Sequence, residues 1–210
     1  MKEKLELLKK NDPILGQFID VIGTLELTTR EDHYLSLVNS IIGQQLSVKA
    51  AGTIFNRFVE LTNHTVTPEI VLGLSDDQLR EIGVSRPKIS YIRDLSQKVS
   101  EKKLRLDTLE ELPNEEAMLA LTAIKGIGNW TAEMFLIFSL GRENILSHLD
   151  VGLHRGAKWL YDSEDGKTTL IDKGKNWEPY QSLASLYLWE VVNRGLVTKY
   201  ASFTEYQKNL

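Results

Sequence analysis

The segment 121–155 constrains the fold of this chain more than any other, because two glycines interrupt a helical pattern within it. It reads LTAIKGIGNWTAEMFLIFSLGRENILSHLDVGLHR, which predicts a helix, a tight turn at Gly126 and Gly128, and a second helix. A helix that begins directly after the turn would present the N–H groups of Gly126, Gly128 and Thr131 to an anion such as phosphate, with Lys125 beside them. A plain turn between two antiparallel helices would need the same glycines.

An isolated acid, Asp150, follows this hairpin by 22 residues, counted from Gly128 (150 − 128). It directly precedes the apolar and basic pattern VGLHRGAKWL, so we expect it at the N-cap of a further helix. Capping alone would explain an aspartate there. A carboxylate held at a helix N-terminus also keeps its negative charge stabilised, which would suit it for chemistry on a molecule held nearby.

Apolar residues recur at helical spacing along almost the whole chain, and no segment shows strand alternation. The pattern therefore predicts an all-α fold, with one long polar connection at 161–178. We expect one domain of two helical lobes, the first comprising about 1–30 plus 115–210 and the second about 31–114. Residues suited to cap helix N-termini precede several of these segments: Asp12, Ser47, Ser75, Ser85 and Asn114.

Composition excludes several classes of site and partner. The chain has no cysteine, so neither a disulfide nor a thiolate-bound zinc or iron–sulfur cluster can form. No apolar run approaches the roughly 18 residues of a membrane span, so no membrane partner is expected. The N-terminus lacks the apolar core of a signal peptide, and we expect a cytoplasmic, nucleoid-associated, monomeric protein of a prokaryote. The net charge of −4 argues mildly against nucleic acid, so the motifs must support that function.

The hairpin and the downstream acid together resemble the helix-hairpin-helix superfamily of DNA glycosylases, in the compact alkylbase (3-methyladenine) glycosylase II form. The resemblance extends over roughly 12–194. It includes QQLS at 44–47, GVSRPK at 83–88 and WEPYQSLA at 177–184, where Gln181 replaces the more usual arginine. It implies two helical lobes around a DNA-binding cleft. It also implies duplex DNA containing damaged bases as the partner and Asp150 as the catalytic residue.

Trp130 occupies the position where superfamily members that cut the DNA backbone carry a lysine, whose amine forms a Schiff base with the sugar. The resemblance therefore implies a monofunctional enzyme that uses water. An indole face also attracts a positively charged base such as 3-methyladenine or 7-methylguanine, worth roughly 0.5–2 kcal/mol. A buried core tryptophan is the alternative interpretation.

The QQLS segment falls between two predicted helices, where side chains can enter a DNA groove. Leu46 and Ser47 are candidates for the wedge that fills the gap left by a flipped base, and Gln45 is a candidate for the base pocket. Glutamines that cap neighbouring helix ends are the competing interpretation. No cofactor is expected beyond a structural Na⁺ or K⁺, which the resemblance places at the backbone carbonyls of three hairpin residues: Thr122, Ile124 and Ile127.

These inferences predict a monofunctional DNA glycosylase that removes alkylated purines during base excision repair. Three rivals remain open at the level of sequence. The first is a glycosylase for deaminated bases such as hypoxanthine or uracil. The second is a non-catalytic DNA-binding module that uses the hairpin alone and has no need of Asp150. The third is an all-α interaction protein without a nucleic-acid role.

Overall fold

The computed structural model describes residues 1–210 and is helical throughout, with no strand. The predicted all-α class is confirmed, and none of the helices is both long and apolar enough to cross a bilayer. Two short 3₁₀ turns lie at Leu106–Thr108 and Lys175–Trp177. The α-helices are α1 (Lys2–Asn11), α2 (Pro13–Ile22), α3 (His33–Gly43), α4 (Val48–Leu61), α5 (Pro68–Gly73), α6 (Asp76–Glu81), α7 (Arg86–Ser100), α8 (Asn114–Thr122), α9 (Asn129–Phe138), α10 (Val151–Leu160), α11 (Gly166–Gly174), α12 (Gln181–Asn193), α13 (Leu196–Lys199) and α14 (Phe203–Gln207).

The chain divides into two compact units, of which the first comprises Met1–Thr28 and Gly141–Leu210. Its core gathers side chains from α1, α2 and α10–α14, with Phe18, Trp177 and Tyr187 fully buried. The predicted N-cap Asp12 accepts the Leu15 N–H at 3.1 Å. The same carboxylate also accepts bonds from the Tyr161 hydroxyl and the Trp177 indole, so it ties the start of α2 to two distant parts of this unit.

The second unit comprises Thr29–Leu140 and contains α3–α9. Helix α3 is its central element, since Leu37, Val38, Ile41 and Ile42 are all buried. The predicted serine caps are present on α4 and α6, where Ser47 accepts the Ala50 N–H and Ser75 forms a reciprocal capping box with Gln78. Two other predicted caps are not observed as predicted. Ser85 precedes α7 but makes no side-chain capping bond, and Asn114 is the first residue of α8 rather than its cap.

The hairpin helices α8 and α9 group with the second unit, whereas the sequence prediction assigned 115–140 to the other lobe. Packing explains the difference. The ring of His33 on α3 meets Phe135 on α9 edge-on at 5.6 Å, and the hydroxyls of Ser36 and Ser139 are 2.7 Å apart. Helix α9 therefore shares an apolar and hydrogen-bonded contact with the central helix α3.

The prediction of a long polar connection at 161–178 is wrong, because α11 and the 3₁₀ turn Lys175–Trp177 together occupy most of it. Asp165 caps this helix by accepting the N–H groups of Lys167 and Thr168. A Cβ at Gly166 would lie 2.0 Å from the carbonyl oxygen of His154, so the glycine allows α11 to pack closely on α10. The glycines at both ends and the few apolar residues hid this helix, whose stability comes from tertiary packing rather than propensity.

Candidate functional site

The hairpin turn is anchored by two buried isoleucines and one glycine that the fold requires. Ile124 and Ile127 are buried, and the Ile127 N–H donates to the Ile124 carbonyl at 3.1 Å. Gly126 has φ +80°, and a Cβ there would lie 2.1 Å from the ring of Tyr91. Both the backbone conformation and the close contact exclude a larger residue at this position.

Gly128 differs from Gly126 because nothing in the fold requires it. Its φ of −92° is open to any residue, and a Cβ there would meet no atom within 4 Å. It is the N-cap of α9 and supplies no side-chain cap. Since the first N–H groups of a helix have no carbonyl partner within it, the end of α9 offers amide donors beside open space. This surface leaves room for a phosphate to approach the backbone, and phosphate binding there stays a prediction.

Asp94 on α7 holds the hairpin turn in place. Its Oδ2 accepts the backbone N–H of Lys125 at 2.8 Å and pairs with Lys98 at 2.5 Å. Burial alone would raise the pKa of the Asp94 carboxyl, but these two donors outweigh it and the pKa is lowered. The Lys125 side chain is exposed, with its Nζ 3.5 Å from the hydroxyl of Ser90. The turn therefore carries an exposed cation three residues before the N-cap of α9.

A cavity of about 630 Å³ lies in the second unit, between α3, α4 and α9. Its volume is within the range of small-molecule pockets, which runs from about 300 to 1,000 Å³. Trp130 lines it and is 48% exposed, which excludes the interpretation of a buried core tryptophan. The other lining residues are Arg30, Ser36, Asn39, Ser40, Gly43, Gln44, Gln45, Leu46, Val48, Ala51, Gly52, Thr131, Met134, Phe135 and Phe138. The cavity combines an apolar surface with a few polar groups, as a pocket for a heterocyclic base would.

The rim of this cavity is a strained turn at residues 43–46. The Leu46 N–H donates to the Gly43 carbonyl at 3.2 Å, and Gln44 has φ −51° and ψ 129°. Gln45 has φ +57°. These values match a type II turn with Gln45 at the position that favours glycine, where a side chain costs about 1–2 kcal/mol. Backbone strain of this kind is concentrated at functional sites in proteins.

The two glutamines of the turn have different surroundings. The side chain of Gln44 donates to the carbonyl of Gly126 at 2.8 Å, so it contacts the hairpin turn rather than a helix end. Gln45 is exposed and lines the cavity, and its role in a base pocket stays a prediction. Of the two wedge candidates, Leu46 is 39% exposed, whereas the Ser47 hydroxyl is engaged in capping α4. Val48, which the sequence analysis did not select, is 92% exposed at the start of α4.

Asp150 lies in the first unit, is only 7% exposed and is the N-cap of α10. Its Oδ1 accepts the Leu153 N–H at 2.7 Å, as predicted for a cap, and also the indole N–H of Trp189 at 3.1 Å. A Cβ at Gly152 would lie 2.9 Å from this oxygen and 3.3 Å from the Trp189 ring, so glycine is needed there too. The carboxylate is therefore fixed by α12 as well as by its own helix.

Sequence reasoning missed the contact of Trp189, which lies five residues beyond the segment 177–184 that the family resemblance singled out. It also missed Lys88, whose Nζ donates to the carbonyls of Ile42 and Gln44. The available signals were the segments GVSRPK at 83–88, which contains Lys88, and WEPYQSLA at 177–184, which ends before Trp189, and neither says what a side chain contacts. The contacts join residues at least 39 positions apart along the chain, which periodicity does not reveal.

Comparison with known proteins gives concordant results. Residues 38–181 match the HhH-GPD superfamily, described as base excision DNA repair proteins. A Schizosaccharomyces pombe protein named DNA-3-methyladenine glycosylase 1 is 32% identical over 175 residues, which are 81% of this chain and 77% of that protein. A relative from Bacillus subtilis is 34% identical over 168 residues, and the chain spans only 58% of that relative's length against 76% of its own.

Solved structures agree with the sequence relatives. The crystal structure of a DNA-3-methyladenine glycosidase from Bacillus halodurans has a TM-score of 0.90 and 44% identity, over 98% of this chain and 95% of that one. The Schizosaccharomyces pombe 3-methyladenine DNA glycosylase in complex with abasic DNA has a TM-score of 0.77 and 28% identity, over 91% and 97%. The resemblance predicted from the hairpin and Asp150 is thereby confirmed, and this chain belongs to the HhH-GPD superfamily of base excision DNA repair proteins.

Proposed function

We propose that this protein is a monofunctional DNA glycosylase that removes alkylated purines, such as 3-methyladenine and 7-methylguanine, from duplex DNA. The observation that carries the proposal is the buried Asp150 carboxylate, held by both Leu153 and Trp189 in a chain of this superfamily. Relatives named as 3-methyladenine glycosylases support the choice of alkylated bases, and one of them was crystallised with abasic DNA, the product of base removal.

Asp150 has a defined role in this reaction. When the N-glycosidic bond breaks, the base departs with the bonding electrons and positive charge develops on the deoxyribose. A fixed carboxylate stabilises that charge, and it can accept a proton from the water that adds to the sugar carbon. An N-alkylated purine carries positive charge before cleavage and leaves as a neutral base, so little acid assistance is needed.

Trp130 supports both the substrate class and the absence of strand cutting. Its indole lines the cavity of the second unit, where an electron-rich ring favours a cationic base over a neutral one. Gln45, on the rim of the same cavity, can donate and accept hydrogen bonds at a base edge. Because tryptophan has no amine, it cannot form the Schiff base that precedes backbone cleavage, so the strand should remain intact.

The hairpin is proposed to hold one backbone phosphate through the N–H groups of Gly126, Gly128 and Thr131, with Lys125 adding charge. Such contacts position the duplex without reading its sequence. The carbonyls of Thr122, Ile124 and Ile127 could hold a Na⁺ or K⁺ ion. The Ile124 carbonyl accepts one bond within the turn and has a second lone pair, which suits an oxygen-only site for a hard cation. A cation there would add positive charge next to the phosphate.

Leu46 is proposed as the wedge that fills the gap left in the duplex when the damaged nucleotide is flipped out. Flipping costs a few kcal/mol of unstacking, and an apolar side chain between the bases offsets part of it. Leu46 is exposed beside the cavity, whereas the hydroxyl of Ser47 accepts a hydrogen bond as the cap of α4. The neighbouring Val48 adds a second exposed apolar side chain at the same end of α4.

The proposal is tested by incubating the protein with duplex DNA that carries random N-methylpurines and identifying the released bases. We expect free 3-methyladenine or 7-methylguanine, and strands that break only after treatment with alkali. Parallel duplexes containing hypoxanthine or uracil test the deaminated-base rival, which would be supported by release from those duplexes alone. Binding without release of any base would support the non-catalytic module, and strand breaks without alkali would overturn the inference from Trp130.

A further inference from the structure

Lys88 makes an unusual pair of contacts at the end of α3. Its Nζ donates to the carbonyl of Ile42 at 2.8 Å and to that of Gln44 at 2.7 Å. The residue is half-buried, and burial lowers the pKa of its ammonium group. Both of these partners are backbone carbonyls rather than carboxylates. A half-buried cation loses part of its hydration, and here the last carbonyls of α3, which carry partial negative charge, compensate for it.

The second of these carbonyls belongs to the peptide that defines the strained turn. Type I and type II turns differ mainly in the orientation of the peptide between their two central residues, here Gln44 and Gln45. In a type I turn that peptide is rotated by about half a turn, and the second central residue has an ordinary negative φ. The ψ of 129° at Gln44 and the φ of +57° at Gln45 correspond to the type II orientation.

The sequence of this turn by itself favours the other arrangement. Glutamine has no special tolerance for positive φ, unlike glycine or asparagine, so Gln45 would be relaxed in a type I turn. Lys88 opposes that rotation because the Gln44 carbonyl would turn away from the ammonium group. The Gln44 side chain adds a second tie, through its 2.8 Å bond to the Gly126 carbonyl of the hairpin.

We propose that Lys88 is a positioning residue that locks the Gln44–Gln45 peptide in the type II orientation, and so directs Gln45 and Leu46 toward the cavity and the DNA. The catalytic part of this inference rests on the proposed glycosylase function, whereas the structural part does not. Lys88 itself donates to the carbonyls of Ile42 and Gln44 and not to Asp150 or the hairpin. Its effect passes through one peptide group of the turn.

The test compares Lys88→Met, which keeps the length of the side chain without its charge, with Lys88→Arg, which can still donate to two carbonyls. Lys103→Met is the matched control, since it removes a lysine of the same unit that is exposed and pairs only with Glu101. The structural readout is the NMR cross-peak between the Gln44 Hα and the Gln45 amide proton. That contact is short in the type II turn and is replaced in a type I turn by a contact between the two amide protons.

We expect Lys88→Met to lose the type II cross-peak and to slow single-turnover base release by roughly 10- to 100-fold, the cost of misplacing a substrate contact. Lys88→Arg should keep the cross-peak and a rate within about threefold of wild type, and Lys103→Met should resemble wild type. If Lys88→Met keeps the type II cross-peak, the proposal is overturned, whatever the rate at which this variant releases base. If wild-type protein releases no base, the proposed function fails, and the cross-peak alone still decides the role of Lys88.

Discussion

The indole N–H of Trp189 donates to Oδ1 of Asp150 over 3.1 Å, and the same oxygen accepts the N–H of Leu153. An aspartate that served only as a helix cap would need the bond from Leu153 and not the bond from Trp189. The additional donor, Trp189 on α12, lies 39 residues further along the chain. This contact distinguishes Asp150 from an ordinary cap and supports a role in which the orientation of the carboxylate matters.

Replacing Trp189 by phenylalanine tests that role. Trp189→Phe keeps an aromatic ring but removes the donor, and a hydrogen bond to a charged group contributes about 1.5–3 kcal/mol. If this hydrogen bond stabilises the transition state and not the ground state, base release by the variant should slow by roughly 10- to 100-fold. Trp159→Phe is the control, because its indole donates to the Tyr200 carbonyl and does not contact Asp150. Trp159→Phe should lower the melting temperature without changing the rate of the folded enzyme, and an equal loss of rate in both variants would contradict the role of Trp189.

Gln45→Gly distinguishes the effect of the strained turn backbone from the effect of the Gln45 side chain. Glycine accepts φ +57° without strain, so the variant should be as stable as wild type or up to about 1 kcal/mol more stable in urea unfolding. Base release should nevertheless slow by roughly tenfold or more, since a polar group of the base pocket is lost. Lys102→Gly relieves a similar φ of +57° outside the cavity and should affect stability alone. Unchanged base release in Gln45→Gly would remove Gln45 from the proposed pocket.

The two hairpin glycines should respond differently to alanine. Gly126→Ala forces a Cβ onto the Tyr91 ring and a side chain into positive φ, so we expect a loss of stability of about 2 kcal/mol or more. Gly128→Ala places its methyl group in open space and should fold with a stability within about 0.5 kcal/mol of wild type.

If a phosphate approaches the amides of α9, the new methyl group of Gly128→Ala should obstruct it. DNA affinity, measured by fluorescence anisotropy on an undamaged duplex, should then fall by roughly tenfold at constant salt. Asn129→Ala is a suitable companion variant, because it changes a side chain of the same turn and leaves the backbone amides accessible. Full DNA affinity in Gly128→Ala would argue against phosphate binding at this end of α9.

Asp94 makes the stability of the hairpin dependent on pH. Its folded pKa is lowered, so its contribution is fully present above the unfolded value of about 3.9 and is lost as pH falls through the folded pKa. The melting temperature of Asp94→Asn should therefore lie below that of wild type at pH 6, and the difference should shrink as pH falls toward 3. A constant difference for Asp94→Asn across this range would contradict the assigned ion pair.

Local chemistry explains which parts of the fold the sequence could predict. Asp12, Ser47, Ser75 and Asp150 cap the helices that follow them, because a cap depends on the next three residues alone. Helix α11 was missed because its stability depends on close packing against α10 through Gly166. The assignment of the hairpin to the second unit likewise depends on contacts between distant segments, such as His33 with Phe135.

The same distinction holds for the candidate site. Gly126 and Gly128 could be selected because they interrupt a helical pattern, and Asp150 because it precedes a helix in a chain that resembles a known family. Trp189 and Lys88 act through single hydrogen bonds to Asp150 and Gln44, and no periodic pattern encodes such a contact. The strain at Gln45 is equally invisible in sequence, since glutamine is not a residue that marks a type II turn.

The central claim is that Asp150 supports hydrolysis of the bond between an alkylated purine and its sugar. Asp150→Asn tests it most directly, because asparagine also caps helices well and should preserve the start of α10. The measurement is single-turnover release of 3-methyladenine or 7-methylguanine, with duplex affinity and melting temperature recorded on the same samples. The account predicts that Asp150→Asn melts and binds DNA like wild type, within about threefold in affinity, and releases base at least roughly 100-fold more slowly. Release at the wild-type rate by folded Asp150→Asn would contradict it.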